Sequence, residues 1–141
     1  MTYVLDSSVA FKWAIPEADS DKALLLRDEY LADIHDLIAP DFFPSELAHA
    51  LTRAERQKRI SIGQALTYWT DVMIDSPQLL PSLSITQRAI KIASVARIGV
   101  YDCTYVALAE RENCELITAD ERLVANLQGQ FPFIVLLSSM P

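Results

Sequence analysis

The sequence is short of cysteine and histidine, contains no long apolar run and carries no excess of basic charge. Each shortage closes off a class of protein. Cys103 and Cys114 are the whole thiol complement. A chain of 141 residues buries roughly 68–70% of its unfolded surface without a covalent staple, so both are expected as packed free thiols. No stretch approaches the ~20 apolar residues of a membrane helix, and the first six residues form neither a cationic n-region nor an apolar h-region. The expectation is a cytoplasmic chain with no membrane partner. Apolar residues make up 51% and charged ones 22%, which excludes a disordered or low-complexity chain and indicates one globular domain over 1–141.

Lys and Arg number 12 against 19 Asp and Glu, a net charge of −7. Alone, that balance argues against a phosphate-binding protein, whose footprint is basic. The charge is unevenly spread, however. Residues 1–50 carry 3 basic and 10 acidic groups, 51–100 carry 7 and 3, and 101–141 carry 2 and 6. The middle third is basic and the acids crowd both ends.

Short apolar runs alternate with longer amphipathic stretches. Thr2 to Leu5 reads as a strand that stops at Asp6, Ser7 to Ala14 as a helix closed by Pro16, and Ser20 to Asp33 as a second helix. Leu37 to Ala39 is the next strand, ending at Pro40. A helix starts near Pro44 with a stripe of Leu47, Leu51 and Ala54. Ser61-Ile-Gly-Gln64 and Ser84-Ile-Thr-Gln87 each fit a capping box at a helix start. The first of these helices has an apolar face of Ile62, Leu66, Trp69 and Met73. The second has Ala89, Ile92, Ala93 and Ala96, and Gly99 is placed to end it in a left-handed conformation. Gln78 to Leu83, interrupted by Pro81, is a sheet-edge strand. After Gly99 come a helix around Cys103 to Glu112, a strand at Glu115 to Thr118, a helix at Glu121 to Leu127 and a strand at Phe133 to Leu137. Five strands with connections too long for hairpins predict an α/β/α domain with a mainly parallel five-stranded sheet.

Four acids occupy equivalent places in this plan. Asp6 and Asp120 follow the first and fourth strands, Glu46 lies in the first turn of the helix after the second strand, and Asp102 begins a helix. Singly, each is explained by N-capping or by the helix dipole. Together they converge on the carboxyl edge of the sheet, where open parallel sheets place their sites. Carboxylates gathered there repel one another and raise their pKa values unless a cation joins them. An all-oxygen set suits Mg²⁺ or Mn²⁺, which aids phosphodiester hydrolysis by making hydroxide available and stabilising charge on the phosphate. Arg53, seven residues after Glu46, lies on nearly the same helix face, roughly 10 Å along the axis. With Arg56, Lys58 and Arg59 it offers a basic segment for phosphate, alongside its ordinary reading as a solvated helix end. Arg88 and Lys91 are a weaker pair of the same kind.

Several other chemistries lack residues they require. His35 and His49 are not spaced as an acid and base pair. Glu46-Leu-Ala-His49 is a single Glu-x-x-His element, whereas a di-iron bundle needs two. Cys103 has no histidine to activate it. A haloacid-dehalogenase-like phosphatase would need an Asp two residues after Asp6, and Ser8 stands there. A phospho-accepting receiver domain needs a late lysine, and the last is Lys91.

Four segments in order resemble the PIN-domain nucleases, and more narrowly the VapC-like toxins of toxin-antitoxin pairs. They are Tyr3-Val-Leu-Asp6-Ser-Ser-Val with Lys12-Trp13, Pro44-Ser-Glu46-Leu-Ala-His-Ala-Leu51, Tyr101-Asp102-Cys-Thr-Tyr-Val-Ala-Leu-Ala-Glu110, and Leu116-Ile-Thr-Ala-Asp120-Glu-Arg-Leu123. The resemblance implies a sheet of order 3-2-1-4-5. It also implies a Mg²⁺- or Mn²⁺-dependent endoribonuclease whose acidic quartet is Asp6, Glu46, Asp102 and Asp120. In it, Asp6 and Asp102 bind metal most directly and Asp120 acts through water. Thr118 matches a hydroxyl position near the pocket and, with Arg53 and Arg56, is a candidate RNA contact. His49 stands where many relatives have asparagine. Relatives form homodimers and are silenced by a small antitoxin whose tail blocks the groove. The alternative is a non-catalytic PIN-like module that binds RNA or protein, although such a module is expected to have lost acids that this chain retains.

Overall fold

A computed structural model describes all 141 residues. Strands β1 (Thr2–Leu5), β2 (Asp36–Pro40), β3 (Gln78–Leu80), β4 (Glu115–Thr118) and β5 (Ile134–Leu136) form one parallel sheet of order β3-β2-β1-β4-β5. The central strands are apolar at successive positions. Val4 and Leu5, or Leu116 and Ile117, point to opposite faces, yet all four are fully buried, so helices cover the sheet on both sides.

Those helices are α1 (Ser7–Ala14), α2 (Ser20–Leu31), α3 (Phe43–Arg56), α4 (Gln64–Ile74), α5 (Leu83–Ala96), α6 (Val100–Glu112) and α7 (Glu121–Leu127). The chain runs outward from β1 through β2 to β3, then returns to pair β4 on the other side of β1. The order therefore reverses between β1 and β4. Cys103 to Ala109 of α6 are buried without interruption, as expected of a helix enclosed on all sides. Helix α6 packs on β1, β2 and β4 and carries α5 on its outer side, while α1 meets α2, α3 and α4. These two helices fix the residues at the carboxyl edge of the sheet.

Four local expectations need correction. Helix α4 begins at Gln64, not Ser61. Only half of the capping box forms there, with Gln64 Oε1 accepting from the Ser61 N–H at 2.7 Å, while Gly63, at φ 94°, is the residue that turns into the helix. Helix α5 begins one residue before Ser84, so Ser84 is already helical and its hydroxyl accepts from Arg111 instead. Arg97, at φ 59°, is the left-handed residue that closes α5, while Gly99 sits at φ −58° and opens α6. The predicted apolar face of α4 is rotated. Ala65 and Val72 are buried, Trp69 and Met73 half-buried, and Ile62 and Leu66 exposed. Trp69 anchors this orientation by donating to the Pro44 carbonyl at 2.9 Å.

Candidate active site

The carboxyl ends of β1 and β4 are joined by side chains. Past the end of β1, the Asp6 N–H still donates to the Ile117 carbonyl at 3.0 Å, so the residue stays attached to the sheet. Asp6 is at the N-cap position of α1 but makes no capping bond. Its Oδ2 accepts instead from the hydroxyls of Thr118 at 2.6 Å and Ser8 at 2.9 Å. Ser8 Oγ in turn accepts from the Ala119 N–H, and Thr118 Oγ1 from the Asp120 N–H, each at 3.1 Å. This closed network holds Asp6 against the start of α7.

The other acids are held differently. Glu46, in the first turn of α3, accepts at Oε1 from Ser7 Oγ and from the Tyr105 hydroxyl, both at 2.7 Å. Asp120 N-caps α7, with Oδ1 accepting from the backbone of Arg122 at 3.0 Å and Leu123 at 3.2 Å. Asp102, in the first turn of α6, accepts no protein hydrogen bond. All four acids line one cavity of about 540 Å³. One oxygen each of Asp6, Glu46 and Asp120 is spent on positioning, and the other accepts nothing from the protein.

The electrostatics record that crowding. Burial, reinforced by Glu46 and Asp102, pushes Asp6 up to about 7 despite the opposing hydroxyls of Thr118 and Ser8. Burial, then Asp120 and Glu46, raise Asp102 to about 6, with Arg122 only partly offsetting them. The Tyr105 hydroxyl is held well above its ordinary value, first by burial and then by Asp6 and Glu46, so it remains a donor to Glu46. Burial and Asp102 lift the Cys103 thiol to about 11, which removes it as a nucleophile near neutral pH. No group of three His, Cys, Asp or Glu side chains is drawn together as a ready-made metal cage. The donor set itself, one acidic oxygen left free on Asp6, Glu46 and Asp120 and both on Asp102, is of the type that hard divalent cations take.

The lining also carries cations. Lys12, Arg53 and Arg59 line the same cavity, together with His49 and Glu17. Glu17 bridges two of them, accepting from Lys12 Nζ at 3.1 Å and Arg59 Nη2 at 2.7 Å. Burial alone would raise Glu17, but these partners outweigh it and hold it below its ordinary range. The Arg59 guanidinium also lies 5.5 Å from the Phe11 ring centroid. Arg53 makes no ion pair.

Three sequence expectations fare differently. Arg56 does not line the acidic cavity but a neighbouring one of about 470 Å³, with Lys58 and Ser61, that shares Arg59 with it; Arg56 is rotated about 80° around the helix from Glu46. Thr118 is fully buried, so it is no RNA contact; its hydroxyl serves Asp6. Arg88 is committed to Glu110 in a two-pronged pair at 2.8 and 3.0 Å. Arg59 belongs to the basic segment the sequence offered for phosphate, and it does line the cavity. Lys12 was not read as a site residue, and Glu17, which both cations reach, is what holds it there.

The PIN domain family model matches residues 3–126. The VapC ribonuclease Mb0985 of Mycobacterium bovis is 32% identical over 127 residues, covering 86% of this chain and 96% of the relative. Ribonuclease VapC9 of Mycobacterium tuberculosis matches to the same extent. Among solved structures, PAE2754 from Pyrobaculum aerophilum superposes with a TM-score of 0.69 at 20% identity, over 99% of this chain and 94% of that one. VapBC2 from Rickettsia felis, bound to a DNA fragment from its promoter, gives 0.61 at 17% identity, over 96% and 97%. The sheet order, the acidic edge and these matches agree: the chain belongs to the PIN domain family, alongside the VapC ribonucleases.

Proposed function

We propose that this chain is a divalent-metal-dependent endoribonuclease, the toxin of a VapBC-type pair, with Asp6, Glu46, Asp102 and Asp120 as its acidic set. The observation that carries the reading is one cavity lined by the four carboxylates Asp6, Glu46, Asp102 and Asp120 and by the three cations Lys12, Arg53 and Arg59. Mg²⁺ binds through one or two carboxylates and keeps several waters, so it does not require a closed cage. Asp6 and Asp102 are the direct ligands in this reading, because their raised values mark the greatest unmet need for positive charge. Mn²⁺ is an acceptable substitute on the same chemistry. When bound, the ion stabilises charge on the attacked phosphate and helps form hydroxide near neutral pH.

The chain's own residues supply the rest. Thr118 and Ser8 orient Asp6, Tyr105 and Ser7 orient Glu46, and the first turn of α7 orients Asp120. Arg53 faces the cavity free to hold a neighbouring phosphate. Lys12 and Arg59 add positive potential, moderated by Glu17. VapC-named relatives support the ribonuclease activity, and the likeness to VapBC2 supports an antitoxin partner. Homodimer formation is part of the same proposal.

The test is cleavage of single-stranded RNA by the purified protein with Mg²⁺ or Mn²⁺, with and without chelator. Activity should vanish with chelator and fall at least about 100-fold in Asp6→Asn, given the scale of electrostatic contributions to such reactions. Equal cleavage by the variant would defeat the mechanism. Calorimetric metal binding that does not depend on Asp6 and Asp102 would favour a non-catalytic module.

A further inference from the structure

A second cavity, of about 430 Å³, opens beside the acidic one and shares Glu46 and His49 with it. Its size falls within the roughly 300–1,000 Å³ of small-molecule sites. Its other lining residues are Phe42, Ser45 and Tyr101. Tyr101 is 60% exposed, although it directly precedes the first-turn acid Asp102 in α6. An aromatic ring left in solvent at that place is not core packing.

The ring is nevertheless held. Phe42 meets Tyr101 in a T-shaped contact, with centroids 4.9 Å apart and planes at 71°. Phe42 meets Tyr105 in the same way, at 5.6 Å and 88°. Tyr105 ends the chain of contacts by donating to Glu46. Three rings therefore fix an exposed platform relative to a cavity acid. A T-shaped contact uses at most one face of Tyr101, leaving a face open for stacking. Ser45 and His49 are exposed on α3 and make no side-chain hydrogen bonds within the protein.

We infer that this second cavity seats an unpaired nucleobase of the RNA substrate next to the scissile phosphate, with Tyr101 as its stacking platform and Ser45 and His49 at its polar rim. The inference rests on the ribonuclease reading above. A strand whose phosphate lies at the acids must place an adjacent nucleotide somewhere along the cavity edge, and the edge at Glu46 and His49, common to both cavities, leads to Tyr101. Single-stranded nucleic acids are held by aromatic stacking combined with cationic contacts to the backbone. A base locked in a duplex cannot reach the ring, so the site selects unpaired RNA.

The experiment uses the full chain carrying Asp6→Asn, with Mg²⁺ and a 12-nucleotide single-stranded RNA of random sequence containing 2-aminopurine. Binding is followed by anisotropy and stacking by quenching of the 2-aminopurine emission. Tyr101→Ala should weaken binding roughly 5- to 150-fold and abolish the quenching, with the melting temperature unchanged. Tyr101→Trp should retain both. Equal binding and quenching in Tyr101→Ala would overturn the inference, as would equal affinity for duplex RNA. So would a sedimentation change without a binding change, which would assign this face to a contact between two copies. Cleavage is scored separately on the parent chain with Asp6 intact: no cleavage refutes the ribonuclease reading, while cleavage with no Tyr101 dependence refutes only this one.

Discussion

At the scale of the residue, Asp6 combines two demands that oppose each other. It is buried, tethered by two hydroxyls and adjacent to other acids, so its ionised form is costly in the metal-free protein. Asp6→Asn keeps an oxygen to accept from Thr118 and Ser8 and adds an amide that faces the neighbouring carboxylates. The variant should therefore be more stable than the parent in chelator at pH 7.5, with a melting temperature several degrees higher, while losing cleavage. A calorimetric scan of both proteins decides it, and a variant that melts lower would contradict this account of Asp6. The importance of Asp6 was legible in the sequence because it stands directly after a strand. The buried role of Thr118 was not, since a strand residue's inward or outward face depends on which neighbour covers it.

At the scale of the element, the helix starts and stops were only partly legible. A Ser-x-x-Gln pattern marks where capping is possible, but two such patterns here yielded to tertiary packing. Trp69 anchors the rotation of α4 at the Pro44 carbonyl, and the Ser84 hydroxyl accepts from Arg111 of α6 instead of capping α5. The end of α5 provides a test. Arg97 closes the helix at φ 59°, a left-handed conformation that costs a residue with a β-carbon roughly 1–2 kcal/mol. Arg97→Gly should therefore raise stability by up to about 1 kcal/mol once glycine's greater unfolded-state entropy is set against that relief. Chemical denaturation at neutral pH measures the change, and a loss would mean that Arg97 makes a compensating contact. The exposed Ile62 and Leu66 show why a helical stripe alone does not identify the core face. With Ala65 and Val72, α4 has apolar residues around most of its circumference, and only the packed partner selects the side.

At the scale of the whole molecule, the acids give the fold a particular response to pH. In the unfolded chain Asp6 and Asp102 lose their protons near 3.8, whereas the folded protein retains them to about 7 and 6. Between those limits the folded state binds more protons, so stability falls as pH rises through that window and levels off above about 7. Glu17 and Glu110 are shifted the other way, and their contribution is lost as pH drops below the ordinary glutamate range. Metal-free protein should thus melt highest near pH 4, where the falling aspartate contribution meets the rising glutamate one, and Mg²⁺ should raise the melting temperature more at pH 7.5 than at pH 5. A metal effect independent of pH would argue against these two acids as ligands. The net charge of −7 concealed this arrangement: the sum is acidic, but the cavity sets its acids against Lys12, Arg53 and Arg59. The sequence pattern conveyed sheet order and the acidic edge because both follow from where strands end. The cationic part of the lining depends on loop and helix ends meeting at the cavity, and spacing along one helix does not reveal that.

The bond from Thr118 to Asp6 spans 112 positions of the chain. A polypeptide emerging from a ribosome at roughly 5–20 residues per second needs on the order of 6–20 s between making the one and the other. Throughout that interval Asp6 has neither its Thr118 partner nor β4 to receive its N–H, and Asp102 and Asp120 also belong to the last third. The site can therefore be completed only when synthesis is nearly finished, and a growing chain is chemically inert for most of its time on the ribosome.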